Sequence, residues 1–295
     1  MTKLERQNLL KGLAFLSPWL IGFSVFTLLP VLLSLYFSFC DYSLLQTPVF
    51  RGMENYRGLA GDPVFWQSLR VMAKFTILAL PLGMVVALAL ALLLNVKILG
   101  QSIYRTIIFL PSLVPAVALA MIWLWLYNPK LGLINFSLRH LGVSNPPGWL
   151  SDPVWSLPAL VLMSVWGVGN TVIIYLAGLQ DVPKDLYEAA DLDGAGTLAK
   201  IRHVTLPFIS PVIFFNLIIA IIGTLQTFTL PYIMTPQGQP DRATYFYTMY
   251  LNDNAFSYLK MGQASAMAWI QLVMILLLTG IAFWTSKRWV YYQGK

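Results

Sequence analysis

The feature that most constrains this chain is a series of apolar runs that are long and nearly free of charge. A helix rises about 1.5 Å per residue, so about 20 residues cross the roughly 30 Å of hydrocarbon in a bilayer. Runs near 13–39, 68–94, 106–127, 156–179, 207–233 and 263–285 are long enough. Inside lipid each backbone N–H and C=O must be satisfied within its own segment. The alternation of a membrane barrel is absent, so the runs predict helices. Composition agrees: 58% of residues are apolar and 11% charged, against about 25% charged in soluble domains. The expected fold is all-α and integral to a membrane, with six transmembrane helices. No low-complexity linker divides it, so residues 1–295 read as one domain. Pro18, Pro30, Pro81, Pro111, Pro115 and Pro211 predict kinks within or beside spans. The first run is too long for a signal-peptide core and reads as a retained span.

Cations orient the spans. Lys3, Arg6, Lys11, Lys97, Arg105, Lys184, Lys200, Arg202, Lys287, Arg288 and Lys295 crowd one set of connections. The other set is longer and carries Arg51, Arg57, Lys130, Arg139, Arg242 and Lys260, with Arg70 and Lys74 near the head of the second span. The positive-inside rule makes both termini cytoplasmic. The net charge of +7 therefore reflects topology, and no nucleic-acid partner is expected. Lys74 is expected to snorkel to the membrane surface. Pro146, Pro147, Trp149, Trp155, Tyr245 and Tyr247 suit ordered outer loops and interfacial anchors. A single cysteine, Cys40, excludes a disulfide framework. His140 and His203 stand without companions at metal-ligand spacing, so no metal site is expected.

One connection differs in kind from its neighbours. Gln180 to Leu206 is the longest cytoplasmic loop and carries its own helix signals. Pro183 suits a first helical position, and Asp181, Asp185 and Glu188 favour a helix N-terminus. Leu186, Tyr187, Ala189 and Ala190 give that helix small and apolar surface. Asp193-Gly194-Ala195-Gly196 breaks it, Thr197 can cap a second short helix, and Pro207 opens the next span. Two short helices at an angle make a knob with an exposed apolar patch, which suggests a protein partner. The loop fits neither a calcium loop nor a phosphate loop, so the chain should not hydrolyse ATP.

Glu188-Ala189-Ala190-Asp191-Leu192-Asp193-Gly194-Ala195, followed by Val204, Leu206 and Pro207, resembles the EAA signature of ABC-importer permeases. Ile201 stands where that family often has phenylalanine. Ser17-Pro18-Trp19-Leu20-Ile21-Gly22-Phe23 before Leu29-Pro30, and Asn55-Tyr56 before Asp62-Pro63, are similar to the first permease subunit of carbohydrate importers. So are Tyr232-Ile233-Met234-Thr235 and Met261-Gly262-x-Ala264-Ser265-Ala266, although Gln237-Gly238-Gln239-Pro240 departs from the usual Gly-Gly-Pro. The resemblance implies a type I ABC-importer permease fold in a bacterial or archaeal inner membrane. It implies a second, related permease, two ATPase subunits carrying ATP and magnesium, and an extracytoplasmic solute-binding protein. This subunit itself would bind no cofactor and be no enzyme. Glu188, with Ala189, Ala190, Asp193, Gly194 and Ala195, would couple it to the ATPase by alternating access.

Polar groups inside spans often line a path or join helices. Ser164, Asn170 and Thr171 lie in the fourth run, and Asn216, Thr224, Gln226 and Thr227 in the fifth. Counted from Glu188, Gly167, Asn170 and Thr224 resemble positions lining the sugar pocket of maltose-type permeases. Trp166 could stack on a sugar face, although plain packing is the commoner role of such a residue, and Gln226 could hydrogen-bond a hydroxyl or simply join helices. No basic cluster lies at mid-span, which argues against a highly anionic solute. A secondary transporter usually needs ionisable groups at mid-depth, and a membrane enzyme needs clustered acids, histidines or a nucleophile. The runs hold neither.

Overall fold

A computed structural model describes residues 2–96 and 98–291. Of the cations that set the expected orientation, Lys97 and Lys295 lie outside the described residues, as does the side chain of Lys3. The principal helices are α1 (Leu4–Ser38), α2 (Pro63–Leu94), α3 (Gln101–Leu113), α4 (Ala116–Leu126), α5 (Ser156–Trp166) and α6 (Gly169–Gln180). They are followed by α7 (Lys184–Leu192), α8 (Thr197–Lys200), α9 (Ser210–Leu225) and α10 (Met261–Ser286). Among the described residues, four helical stretches are long and apolar enough to span a bilayer, or up to six if each of two bent pairs is one span.

Two of the runs are bent pairs: the kink expected at Pro115 is present, and a second bend falls where no proline stands. The run 106–127 turns through 99° between α3 and α4. Pro115 lacks an N–H and restricts its predecessor, so Val114 is extended (ψ 126°) and the helix stops there. The run 156–179 bends by 45° between α5 and α6. Gly169 lets α6 begin against α3: a Cβ there would lie 2.8 Å from the Ile108 carbonyl oxygen. The fifth run is shifted, since Pro207 lies in the short turn Leu206–Phe208 and α9 begins at Ser210. It breaks again at Gln226 to Phe228 before Thr229–Met234. There the Thr248 hydroxyl donates to the Thr227 carbonyl at 2.5 Å, supplying a partner that lipid cannot. Pro81, by contrast, lies inside uninterrupted α2.

The chain forms two compact units. One comprises Met1–Asp62 and Leu251–Leu272. In it, the amide of Asn55 donates to the carbonyls of Ser38 (2.9 Å) and Cys40 (2.8 Å), closing the end of α1. Tyr56 donates its hydroxyl to Ser38 Oγ at 2.9 Å. The N–H of Gly262 donates to the Tyr42 carbonyl at 3.0 Å. A Cβ at Gly262 would run into the Cys40 carbonyl oxygen, so the backbones meet only because that residue is glycine. The Asn55-Tyr56 and Met261-Gly262 motifs thus build one junction.

The other unit comprises Pro63–Tyr250 and Val273–Lys295. Its core joins Ala87, Ala91 and Leu94 of α2 to Val172, Tyr175, Leu176 and Leu179 of α6, with Val182 and Ile209 beyond. Lipid is as apolar as leucine, so helices in it associate through close packing rather than through escape from water. Fully buried Ala87 and Ala91, one turn apart on α2, are the small residues at this seam. Gly178 is closer still to its neighbour: a Cβ would lie 2.8 Å from Val212 Cγ2 of α9. Of the expected outer-loop anchors, Trp149, Tyr245 and Tyr247 are buried. The Trp149 indole donates to Asn135 Oδ1 at 2.6 Å.

Candidate functional site

After α6, Val182 is buried and Pro183 takes an extended ψ of 135°. Pro183 is therefore the N-cap, one residue before the position expected from sequence, and α7 starts at Lys184. Its far end is a Schellman turn. Gly194 stands at φ +72°, a conformation that penalises a Cβ. The Ala195 N–H donates to the Ala190 carbonyl at 2.9 Å, and the Gly194 N–H to the Asp191 carbonyl at 3.0 Å. These are the two bonds that satisfy the last carbonyls of a helix in this motif. The alanines at 190 and 195 are the pair the turn brings together. Gly196, not Thr197, is the N-cap of α8.

Past α8 the chain makes a π-turn, Ile201–Thr205. Three ties hold the two arms of the knob. Lys200 forms an ion pair with Asp191. The hydroxyls of Tyr187 and Thr205 lie 2.9 Å apart in a hydrogen bond. Tyr187, Val204 and Leu206 pack against the α2–α6 core. None of these ties was legible in the spacing. What remains outside is the EAA face: Glu188 and Ala189 are exposed, with Leu186, Leu192 (91%) and Leu198 (79%). Glu188 makes no ion pair with the described residues.

The other end of α6 meets a cavity of about 250 Å³. Phe75, Ala79 and Gly83 of α2 line it, as do Leu160, Met163 and Ser164 of α5, Gly167 and Val168 at the break, and Thr171 of α6. Ala220, Gly223 and Thr224 of α9, Thr227 and Phe246 also line it, with Leu80, Met84, Leu230 and Pro231. Its hydroxyls are partly committed. Ser164 donates to the Val161 carbonyl (2.6 Å), Thr224 to that of Ala220 (2.8 Å) and Thr227 to that of Gly223 (3.2 Å). Each hydroxyl keeps its lone pairs, so the wall can accept hydrogen bonds from a neutral hydroxylated molecule.

Of the path candidates, Gly167 and Thr224 line this cavity, whereas Trp166, Asn170 and Gln226 do not. Asn170 and Gln226 are exposed elsewhere, and Trp166, 42% exposed, stands edge-on to Trp123 at 5.9 Å. A sequence signal for the wall did exist. Ser164, Gly167 and Thr171 recur at three- and four-residue spacing, and so do Ala220, Gly223, Thr224 and Thr227. His140 and His203 each bond the carbonyl four residues back in their own helices.

Apolar helices, a locked knob and a cavity joined by one helix define a membrane transport component. The family model for binding-protein-dependent transport system inner membrane components matches residues 79–291, and the chain belongs to that family. It is 40% identical over 98% of its length to the Probable ABC transporter permease protein YesP of Bacillus subtilis (strain 168), covering 94% of that protein. It is 33% identical over 94% of its length to the sulfoquinovosyl glycerol transport system permease protein SmoG of Agrobacterium fabrum, covering 91%. Among solved structures it is similar to a chain of a bacterial alginate ABC transporter in complex with alginate pentasaccharide-bound periplasmic protein. The TM-score is 0.83, with 25% identity and 96% of each chain covered. The fold is that of a type I ABC-importer permease. The relatives are transport permeases, and the chain is a permease subunit rather than an enzyme.

Proposed function

We propose that this chain is the first permease subunit of an ATP-driven importer that carries a sugar or sugar-like solute into the cytoplasm. The relatives' substrates support the solute class: sulfoquinovosyl glycerol for one and alginate for another. The cavity wall of lone pairs, small residues and Phe75 and Phe246 suits a neutral polyhydroxylated ring. The chain acts as one permease domain with six membrane crossings, each bent pair counting as one, and both termini in the cytoplasm. It pairs with a second permease, sits on two ATPase subunits holding ATP and magnesium, and receives solute from an extracytoplasmic binding protein.

One observation carries this reading: α6 runs from the cavity at Thr171 to the knob, whose Tyr187, Val204 and Leu206 pack on the same α2–α6 core. Force applied to the knob by closure of the ATPase dimer therefore reaches the cavity wall through one packed helix. Glu188 meets a basic residue of the ATPase, and Ala189 and Ala190 allow close approach. Only a contact that differs between inward- and outward-open states can drive that change. The test is uptake of labelled sugars by the importer in proteoliposomes. The expected result is uptake that needs ATP and the binding protein and survives collapse of the proton gradient. Uptake driven by the gradient without ATP would contradict it.

A further inference from the structure

A second groove, of about 530 Å³, lies beside the cavity and carries charge of one sign. Arg70 and Lys74 of α2 and Arg242 of the following loop line it, and no carboxylate does. Arg70 and Lys74 are four residues apart, on one face of the helix. Lys74 has no ion-pair partner among the described residues. The remaining wall is apolar, including Val71, Leu78 and Leu157. Groove and cavity adjoin along the same helices. On α2, Lys74 and Leu78 line the groove while their neighbours Phe75 and Ala79 line the cavity. On α5, Leu157 faces the groove and Leu160 the cavity.

Two further facts mark the groove as built. Arg242 stands at φ +56° and Asp241 at +52°, a left-handed backbone uncommon for residues other than glycine and costly for a long side chain. The Gln67 amide holds that loop by donating to the carbonyls of Asp241 (3.4 Å) and Arg242 (3.5 Å). The Arg242 guanidinium sits 5.9 Å from the Tyr245 ring centre, which aims it without neutralising it.

We propose that this groove selects an anionic saccharide, one bearing carboxylate groups, and hands its rings to the neutral cavity next to it. The proposal rests on the sugar-importer reading and narrows its substrate class. The cations bind carboxylates while the apolar wall meets the C–H faces of the sugar rings. The charge sits at the level before the cavity, so a solute gains its ionic contacts on arrival and need not carry them to mid-span. The proposal departs from two expectations from sequence, that Lys74 only snorkels and that the absence of a mid-span basic cluster disfavours anionic solutes.

The test uses the importer with its own partner subunits and binding protein, in proteoliposomes of neutral lipid. Solute-stimulated ATPase is measured with trisaccharides of galacturonate, mannuronate and glucuronate, each beside its carboxyl-reduced neutral counterpart. The expected wild-type result is a preference of about tenfold or more for an acidic member, shrinking as salt shortens the Debye length from about 10 Å to about 3 Å. Lys74→Gln should cut that preference several-fold, and Arg70→Gln with Lys74→Gln and Arg242→Gln should bring it near unity with neutral stimulation unchanged. The binding protein is the same throughout, so a change in the ratio reports this subunit. A ratio unaltered by the substitutions overturns the proposal. So does stimulation by neutral saccharides alone, although that outcome leaves the sugar reading standing. An effect that appears only when phosphatidylglycerol is added overturns it in favour of a lipid headgroup. Stimulation by no saccharide removes both the proposal and the reading beneath it.

Discussion

Replacing Gly194 by valine adds a side chain to a residue held at φ +72°, with no heavy atom within 4 Å of the new Cβ. The Cβ itself meets no neighbour within the subunit, so its effect is conformational. A left-handed backbone costs an ordinary L-residue about 1–2 kcal/mol, which is a factor of about 5–30 in an equilibrium. The two hydrogen bonds from Gly194 and Ala195 to the end of α7 depend on that backbone. The locked knob should lose population by that factor relative to forms in which α7 and α8 splay. Asparagine tolerates the left-handed region and should preserve most of the lock. The assay is solute-stimulated ATPase and uptake per ATP in the assembled importer, with assembly checked by co-purification. Gly194→Val should assemble yet transport several-fold less per ATP, and Gly194→Asn should lie near wild type. Wild-type coupling in Gly194→Val would refute the reasoning. An Asn variant as impaired as the Val variant would show that the site needs a bare surface rather than a positive φ.

Tyr187→Phe removes the hydroxyl that meets Thr205 at 2.9 Å, and Thr205 is only 3% exposed. Hydrogen exchange over residues 184–206 should rise by a factor matching about 1 kcal/mol, and unchanged protection would contradict the tie. Gly178→Val forces a side chain into Val212, 2.8 Å from the missing Cβ. Overpacking of this kind costs about 1–3 kcal/mol; the unfolding midpoint in detergent should fall, and Val212→Ala should restore part of it. Gly262→Ala meets the Cys40 carbonyl oxygen, which is backbone and cannot swing aside. It should lower the same midpoint, whereas Gly12→Ala, with open space around it, should not. Thr224→Val keeps the shape of the cavity wall and removes its acceptor. The half-saturating solute concentration should rise roughly twofold to tenfold with basal ATPase unchanged.

The knob was legible in sequence because its determinants are local. Gly194 and the alanines at 190 and 195 belong to one turn, and a turn of that type is set by residues a few positions apart. The ties across it were not legible. Whether Lys200 reaches Asp191, or Tyr187 reaches Thr205, depends on the angle the turn imposes on two arms. The cavity shows the same division. Residue counting along a helix keeps its phase at about 100° per residue only while the helix is continuous. Gly167 and Thr224 lie within or at the ends of unbroken stretches and line the cavity. Asn170 lies beyond the 45° bend between α5 and α6, and Gln226 lies at the break after α9. Thr171 and Thr227 lie at or beyond the same breaks and still line the cavity, so Asn170 and Gln226 are turned away by their own places on the helix face, exposed beside those threonines. The 99° turn after Val114 was visible as Pro115, but its size was not, because proline ends a helix without specifying where the next one points.

The central claim is that the exposed carboxylate of Glu188 passes the state of the ATPase to the cavity through α7 and α6. The most direct test is solute-stimulated ATPase in the assembled importer bearing Glu188→Gln. The account predicts normal assembly and basal hydrolysis, with stimulation by solute and binding protein reduced about tenfold or more, the loss of one charge-assisted contact worth about 1.5–3 kcal/mol. Full stimulation and uptake in that variant would contradict it.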